Sequence, residues 1–187
     1  MTLPGAAELR EQFRIFRYSA FRLETLQVYA GSGEDQAQAA FHRGDLAPPP
    51  SPRQDQWMAM LREHVKARRT QQRVHVVTEP VSEYLAFELT WQYGPHTTAG
   101  EDIRIIPVTD AWPVDVPRKD FWLFDSQHLF DLVYDDAGHW LGVEHITDLA
   151  EIVHACFVRD AALHQAMPWA DYLATKPELR QRLAKGE

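Results

Sequence analysis

The spacing of apolar positions changes along this chain, and each change predicts an element. From Gln54, Trp57, Met60, Leu61, His64 and Val65 sit at i, i+3, i+4, i+7 and i+8, one stripe of a helix. Val74-His75-Val76-Val77 is short and β-branched and reads as a strand. After Glu79-Pro80 the helical period returns through Val81, Tyr84, Leu85, Glu88 and Leu89. Residues 103–106 predict a second strand. Phe121-Trp122-Leu123-Phe124 predicts a third, apolar on both faces and therefore central. Residues 129–134 and 140–146 read as two strands joined by Asp135-Asp136-Ala137-Gly138, with glycine at the position needing a positive φ. Asp148, with Glu151 three residues on, opens a helix that runs through Ile152, Cys156, Phe157 and Leu163 until Pro168 stops it.

The N-terminal third is less periodic. Residues 1–29 carry Phe13, Phe16, Phe21, Leu23, Leu26, Val28 and Tyr29 and read as a short helix followed by an extended segment. Residues 33–43 form a helix ended by Gly44. Residues 45–53, DLAPPPSPR, hold four prolines in nine positions; proline fixes φ and lacks an N–H, so this is an exposed connector. The expected organisation is an N-terminal segment and connector over residues 1–53 and an α/β core over 54–187, one structural domain together. The expected fold class is α/β, a mixed sheet with flanking helices.

Composition narrows the function. A hydrophobic content of 45% with six Trp and nine Phe supports a packed core in 187 residues. With 27 acidic against 19 basic residues, the net charge of -8 argues against nucleic-acid binding through this chain alone. No apolar run reaches the roughly 20 residues needed to span a bilayer, and the first residues lack the pattern of a signal segment. One cysteine, Cys156, fits a reducing compartment. The expected location is the cytoplasm.

Candidate chemistry rests on a few polar residues in apolar settings. Gly100-Glu101-Asp102-Ile103-Arg104 places carboxylates and a cation where a loop enters a strand; an exposed Asp102–Arg104 pair is the plainer reading. Glu88 falls inside the apolar stripe of its helix and needs a partner, which Tyr84, Arg104 or Arg73 could supply. Lys66, Arg68, Arg69 and Arg73 are either a phosphate-binding patch or cations complementing a helix C-terminus. The nine histidines form no HExxH, and neither GxSxG nor a Walker loop occurs, so no catalytic residue, metal site or cofactor is assigned.

The blocks RLE (22–24), RVHVV with EP (73–80), Tyr84, AGEDIR (99–104) and DFWLFD (120–125) resemble an uncharacterised actinobacterial family, a domain of unknown function, over nearly the whole chain. That resemblance implies a gene setting near helix-turn-helix regulators and establishes no activity. A more distant likeness is to phospholipase D-like domains, whose order of elements residues 54–169 follow. Those enzymes carry HxKxxxxD on the strand ending in Asp. Counting back from Asp125 puts Arg118 at the histidine position and Asp120 at the lysine position. A guanidinium is not a nucleophile and a carboxylate repels phosphate, so the likeness implies loss of phosphodiester chemistry.

The expected function is therefore a non-catalytic regulatory or interaction protein, working with a helix-turn-helix regulator or sensing a small ligand. Its partners would be such a regulator or a second copy of the chain. The alternative is an enzyme or toxin-like protein using carboxylates on a nucleotide or phosphate-containing substrate. The candidate cleft residues are Glu88, Asp102, Arg104, Asp120, Arg118 and Tyr84. Asp120 is expected to pair with Arg104, and Asp125 to hold N–H groups of the turn that follows it.

Overall fold

The computed structural model describes residues 4–31 and 33–184, and over them the chain is an α/β fold with helices on both faces of a mixed seven-stranded sheet. The strands are β1 (Ser19–Glu24), β2 (Thr70–Thr78), β3 (Glu101–Val108), β4 (Phe121–Phe124), β5 (His128–Tyr134), β6 (Trp140–Ile146) and the two-residue β7 (Met167–Pro168). Their order is β6-β5-β4-β1-β2-β3-β7; β1, β2 and β3 run parallel, and the other neighbours pair antiparallel. All four residues of β4 are buried, as a strand apolar on both faces requires.

The helices are α1 (Ala6–Ile15), α2 (Asp35–Arg43), α3 (Pro52–Lys66), α4 (Glu83–Phe87), α5 (Tyr93–Ala99), α6 (Leu149–Gln165), α7 (Trp169–Ala174) and α8 (Pro177–Ala184). Between α4 and α5, Glu88–Gln92 winds as a π-helix. The Thr90 hydroxyl donates to the Ala86 carbonyl at 2.7 Å, a back-bond of the kind that distorts helices. Caps follow the sequence: the side chains of Ser51, Ser82 and Asp148 accept N–H groups at the starts of α3, α4 and α6, and Gly44 ends α2 with φ 79°.

Two predictions are corrected here. The extended N-terminal segment is β1, the middle strand of the sheet, so the α/β layer expected from residues 54–169 is completed by residues from before the proline-rich connector. Its alternation hid it: Arg22 and Glu24 interrupt the apolar run. Val65, assigned to the buried stripe of α3, is half exposed, although His64 beside it is buried.

The two faces of the sheet differ in kind. One carries Phe21, Leu23, Val74, Val76, Phe121 and Leu123 against Ile152, Ala155, Val158 and Ala162 of α6, a dry apolar layer. The other lies under α1, α3 and the α4–α5 region. There Ala20, Trp122 and Phe124 pack with Phe13 and Trp57, while Arg22 and Arg73, register partners in adjacent strands, stand in the middle of the core.

Candidate functional site

The alternation of a strand sends every second side chain to one face. In β1 that rule puts Arg22 and Glu24 beneath the helices; in β2 it puts Gln71, Arg73 and His75 there; in β3 it puts Glu101 beside Gln71. Asp120, just before β4, joins the same face. All seven are buried.

Five of them, the arginines and the carboxylates, bond to one another, while Gln71 pairs with His64 at 3.2 Å. Arg22 donates to Asp120 at 2.8 Å and to Glu24 at 3.3 Å. Arg73 donates to Glu24 at 2.9 Å and to Glu101 at 3.0 Å. His75 Nδ1 is 2.6 Å from the Tyr93 hydroxyl and its Nε2 is 2.9 Å from the Leu26 carbonyl. Asp120 accepts four hydrogen bonds, from Arg22, from the Thr25 N–H and hydroxyl, and from the Tyr29 hydroxyl at 2.6 Å. Buried charges persist when paired and hydrogen-bonded in this way. Closure is nearly complete: the side chains of Glu24 and Arg73 each keep 10% of their surface.

Charge moves the acids in opposite directions. Burial alone would raise the Glu24 carboxyl, but Arg73 and Arg22 outweigh it and hold it down to about 2. Glu101 is likewise held low by Arg73 against its burial. Glu88 goes the other way. Burial, with Glu34 and Glu24 as like-charged neighbours, pushes its carboxyl well above the ordinary range, and Arg73 and the Tyr84 hydroxyl compensate only in part. Burial also lowers His75, which favours the neutral imidazole.

Of the six residues predicted from sequence, the structure brings three to this face. Tyr84 donates to Glu88 at 3.1 Å, one of the three partnerships expected, and Asp120 anchors the network from the far side of Tyr29, whose ring lies 5.8 Å from that of Tyr84. Asp102 and Arg104 share the register parity of Gln72 and Val74 and so project from the opposite face, where they pair with each other at 3.1 Å with about a third or more of each side chain exposed. Arg104 is therefore not the partner of Asp120; Arg22 is. Arg118 is exposed, with its guanidinium 3.8 Å above the Trp112 ring.

Asp125 is structural, but its donors are corrected. It accepts the N–H groups of Arg17, Tyr18 and Ser19, at 2.8–3.0 Å, tying the end of β4 to the start of β1. The basic stretch 66–73 does not act as one patch: Lys66 pairs with Glu63, Arg69 bonds the Arg14 carbonyl, and Arg73 is buried in the network.

Arg22, Glu24, His75 and Tyr93 escaped the sequence reading. A signal was present: in Arg22-Leu23-Glu24 and Arg73-Val74-His75-Val76, polar and apolar residues alternate with period two. In an exposed sheet that pattern marks a solvated face, and only the helices above it turn it into a buried network.

Among the described residues no group of three or more His, Cys, Asp or Glu is placed to hold a metal ion, and no helix is long and apolar enough to cross a membrane. No curated protein matches the chain in sequence. One family does, over residues 7–174, a span that contains every residue of the buried network: the chain belongs to the family described as a domain of unknown function, DUF6879.

Proposed function

We propose that this protein is a non-catalytic regulatory module that senses a small ligand at the helix-covered face of its sheet. The observation that carries this reading is that the charged groups there are spent on one another. Arg22 and Arg73 are clamped by Glu24, Glu101 and Asp120, and Asp120 accepts four hydrogen bonds. A network so bonded is rigid and preorganised, as binding sites are, and offers no loose nucleophile. At the positions a phospholipase D-like enzyme would use, Arg118 is turned onto Trp112 and Asp120 is buried in bonds. In this reading the protein is cytoplasmic, in keeping with its single cysteine, and acts through a helix-turn-helix regulator or a second copy of itself.

One feature favours the competing reading, an enzyme or toxin-like protein acting on a nucleotide or phosphate-containing substrate. Glu88, whose carboxyl is pushed well above the ordinary range by burial and like charges, is shifted in the direction a general acid needs. One experiment separates the two. Thermal melting of the wild type and Glu88→Gln against a panel of metabolites, alongside hydrolysis assays with nucleotides and a generic phosphodiester, should give a ligand-dependent rise in melting temperature without turnover. Turnover abolished by Glu88→Gln would overturn the regulatory reading.

A further inference from the structure

A helix that covers a sheet ordinarily turns its apolar side inward and its charges to water. α6 does the first and not the second. Ile152, Ala155, Val158 and Ala162 pack on the sheet, yet the opposite side carries Leu149, Val153 and Phe157, which are 77%, 69% and 51% exposed. The charged side chains are drawn off that outer side. Arg159 donates to Ser126 and to its neighbour Asp160, both at 2.8 Å. Burial raises the Asp131 carboxyl of β5, and Glu151 is near enough to add to the rise against Lys119. Asp160, paired with Arg159, closes the C-terminal end of the apolar stripe.

A contiguous exposed apolar stripe marks contact with another molecule. The chemistry of α6 narrows which one. Arg159 is the only Lys or Arg between Leu149 and Gln165, and it is spent on Ser126 and Asp160. The stripe therefore lacks the cations that hold a helix to anionic lipid or to nucleic acid. A charged protein surface would be desolvated there and find no opposite charge. A second copy of this chain meets a different situation: both surfaces are neutral, so the net charge of -8 borne elsewhere repels little across the contact. The stripe is also complementary to itself. Leu149, Val153 and Phe157 stand four residues apart, a ridge of the kind that interdigitates with its like in the commonest class of helix packing. Val114, 71% exposed, extends the apolar surface beside the end of the helix, where Gln165 donates to its carbonyl at 2.9 Å.

We propose that the outer side of α6 is a two-fold interface through which two copies of this chain associate, with Val153 of each near the axis. This names the partner within the regulatory reading above, on which its purpose rests, while the association itself needs no ligand. Four side chains fill only part of the roughly 800 Å² that each partner gives to a standard interface, so the dimer belongs to the weak, micromolar class.

Sedimentation equilibrium of the whole chain from about 1 to about 300 µM, the range in which a small interface fills, should show the mass rising from one copy toward two. Val153→Glu puts a charge near the axis and should leave a monomer. Leu46→Glu, at another exposed apolar residue far along the chain in the proline-rich connector, should leave association unchanged. Melting curves confirm that both variants fold. Cys156, the only cysteine of the chain, lies three residues from Val153 and is partly exposed. The helix rise and the usual interaxial distance bring the two thiols within about 12 Å across the two-fold. A bis-maleimide of that span should join the wild type into a covalent dimer, and this product should be lost in Val153→Glu. Should Val153→Glu fail to fold, the wild-type cross-link decides. A chain monomeric throughout the range overturns the inference, as does a dimer that neither Val153→Glu nor the bis-maleimide affects. Recruitment of the monomer to lipid vesicles in place of self-association assigns the stripe to a membrane and overturns it too. None of these results bears on ligand sensing, which melting against the metabolite panel tests separately.

Discussion

Asp120 and Asp125 flank the same four-residue strand, yet their surroundings give them different weights. Asp125 has φ 53°, a left-handed conformation that Asp tolerates, and holds three backbone N–H groups at the margin of the sheet. Water can reach two of those donors, so Asp125→Ala should cost about 1 kcal/mol. Asp120 is 3% exposed, and its loss as an anion takes from buried Arg22 its shortest ion pair, leaving the longer contact to Glu24 at 3.3 Å and the Tyr134 hydroxyl at 3.1 Å. Asp120→Asn should therefore cost more, about 3 kcal/mol, the scale for breaking a buried ion pair. Urea unfolding of both variants checks the order; a near-silent Asp120→Asn would mean the network does not carry stability. Glu88 makes a prediction with a definite sign. Its folded carboxyl titrates well above the ordinary value of 4.5, so above that pH the unfolded chain gives up a proton that the folded chain keeps, and stability declines as pH rises toward the folded value. Glu88→Gln should flatten that decline, measured as unfolding free energy across the range from pH 5 upward.

At the scale of elements, β4 is the part of the chain whose reading from sequence survives best. Four consecutive large apolar residues can be buried on both faces only between two other strands, and β1 and β5 are those strands. Trp122 is packed against Phe124 and Phe13 and is 6% exposed, so Trp122→Ala should cost about 3–5 kcal/mol, and a loss below about 1 kcal/mol would place that ring at the surface. The cap of α6 was equally legible, since an Asp before a helical stripe satisfies N–H groups that the helix itself leaves open; those of α3 and α4 were not, because Ser51 lies within the proline-rich stretch read as connector and Ser82 follows the Glu79-Pro80 read as the start of α4. The π-helix was not. Glu88-Leu89-Thr90-Trp91-Gln92 continues the apolar period of α4; the widened turn carries the Thr90 back-bond and packs against α8 and α5, neither of which that period reveals. Val65 shows the complementary limit: it keeps the helical spacing of the stripe yet is half exposed, its side chain lying against Gly100, which at φ 112° and without a Cβ leaves room for it.

The whole molecule should respond to acid through the carboxylates whose folded values lie below their unfolded ones. Glu24, at about 2, Glu101 and Asp125 each contribute stability that is present above their ordinary values of 4.5 and 3.8 and is lost as pH falls through the folded ones. Unfolding free energy should therefore fall steeply between about pH 4.5 and 2. Glu24→Gln should make that slope shallower while lowering stability at neutral pH, because Arg73 keeps only Glu101 as a carboxylate partner and Arg22 only Asp120. An unchanged slope would mean that Glu24 is not held down by the two arginines.

The sequence by itself determined the class of fold and most of the elements up to α6, because periodicity and capping are local and each is written within a dozen residues; it missed α5, α7, α8 and the two-residue β7 and read β2 too short. It also pointed to Tyr84, one helical turn away, as one of three candidate partners for Glu88, and that hydrogen bond is present. Only the tertiary structure decided that β1 is the middle strand, since which strands become neighbours depends on crossovers of 45 residues or so between Glu24 and Thr70 that no local pattern encodes. The same long-range decision separated Asp102 and Arg104 from Asp120, because a one-residue change of parity sends a side chain through the sheet to its other face. It also turned an alternation of charged and apolar residues, which on an open sheet would face water, into an ion-pair network shut beneath helices. Burial, unlike periodicity, belongs to the assembled layers and not to any one strand.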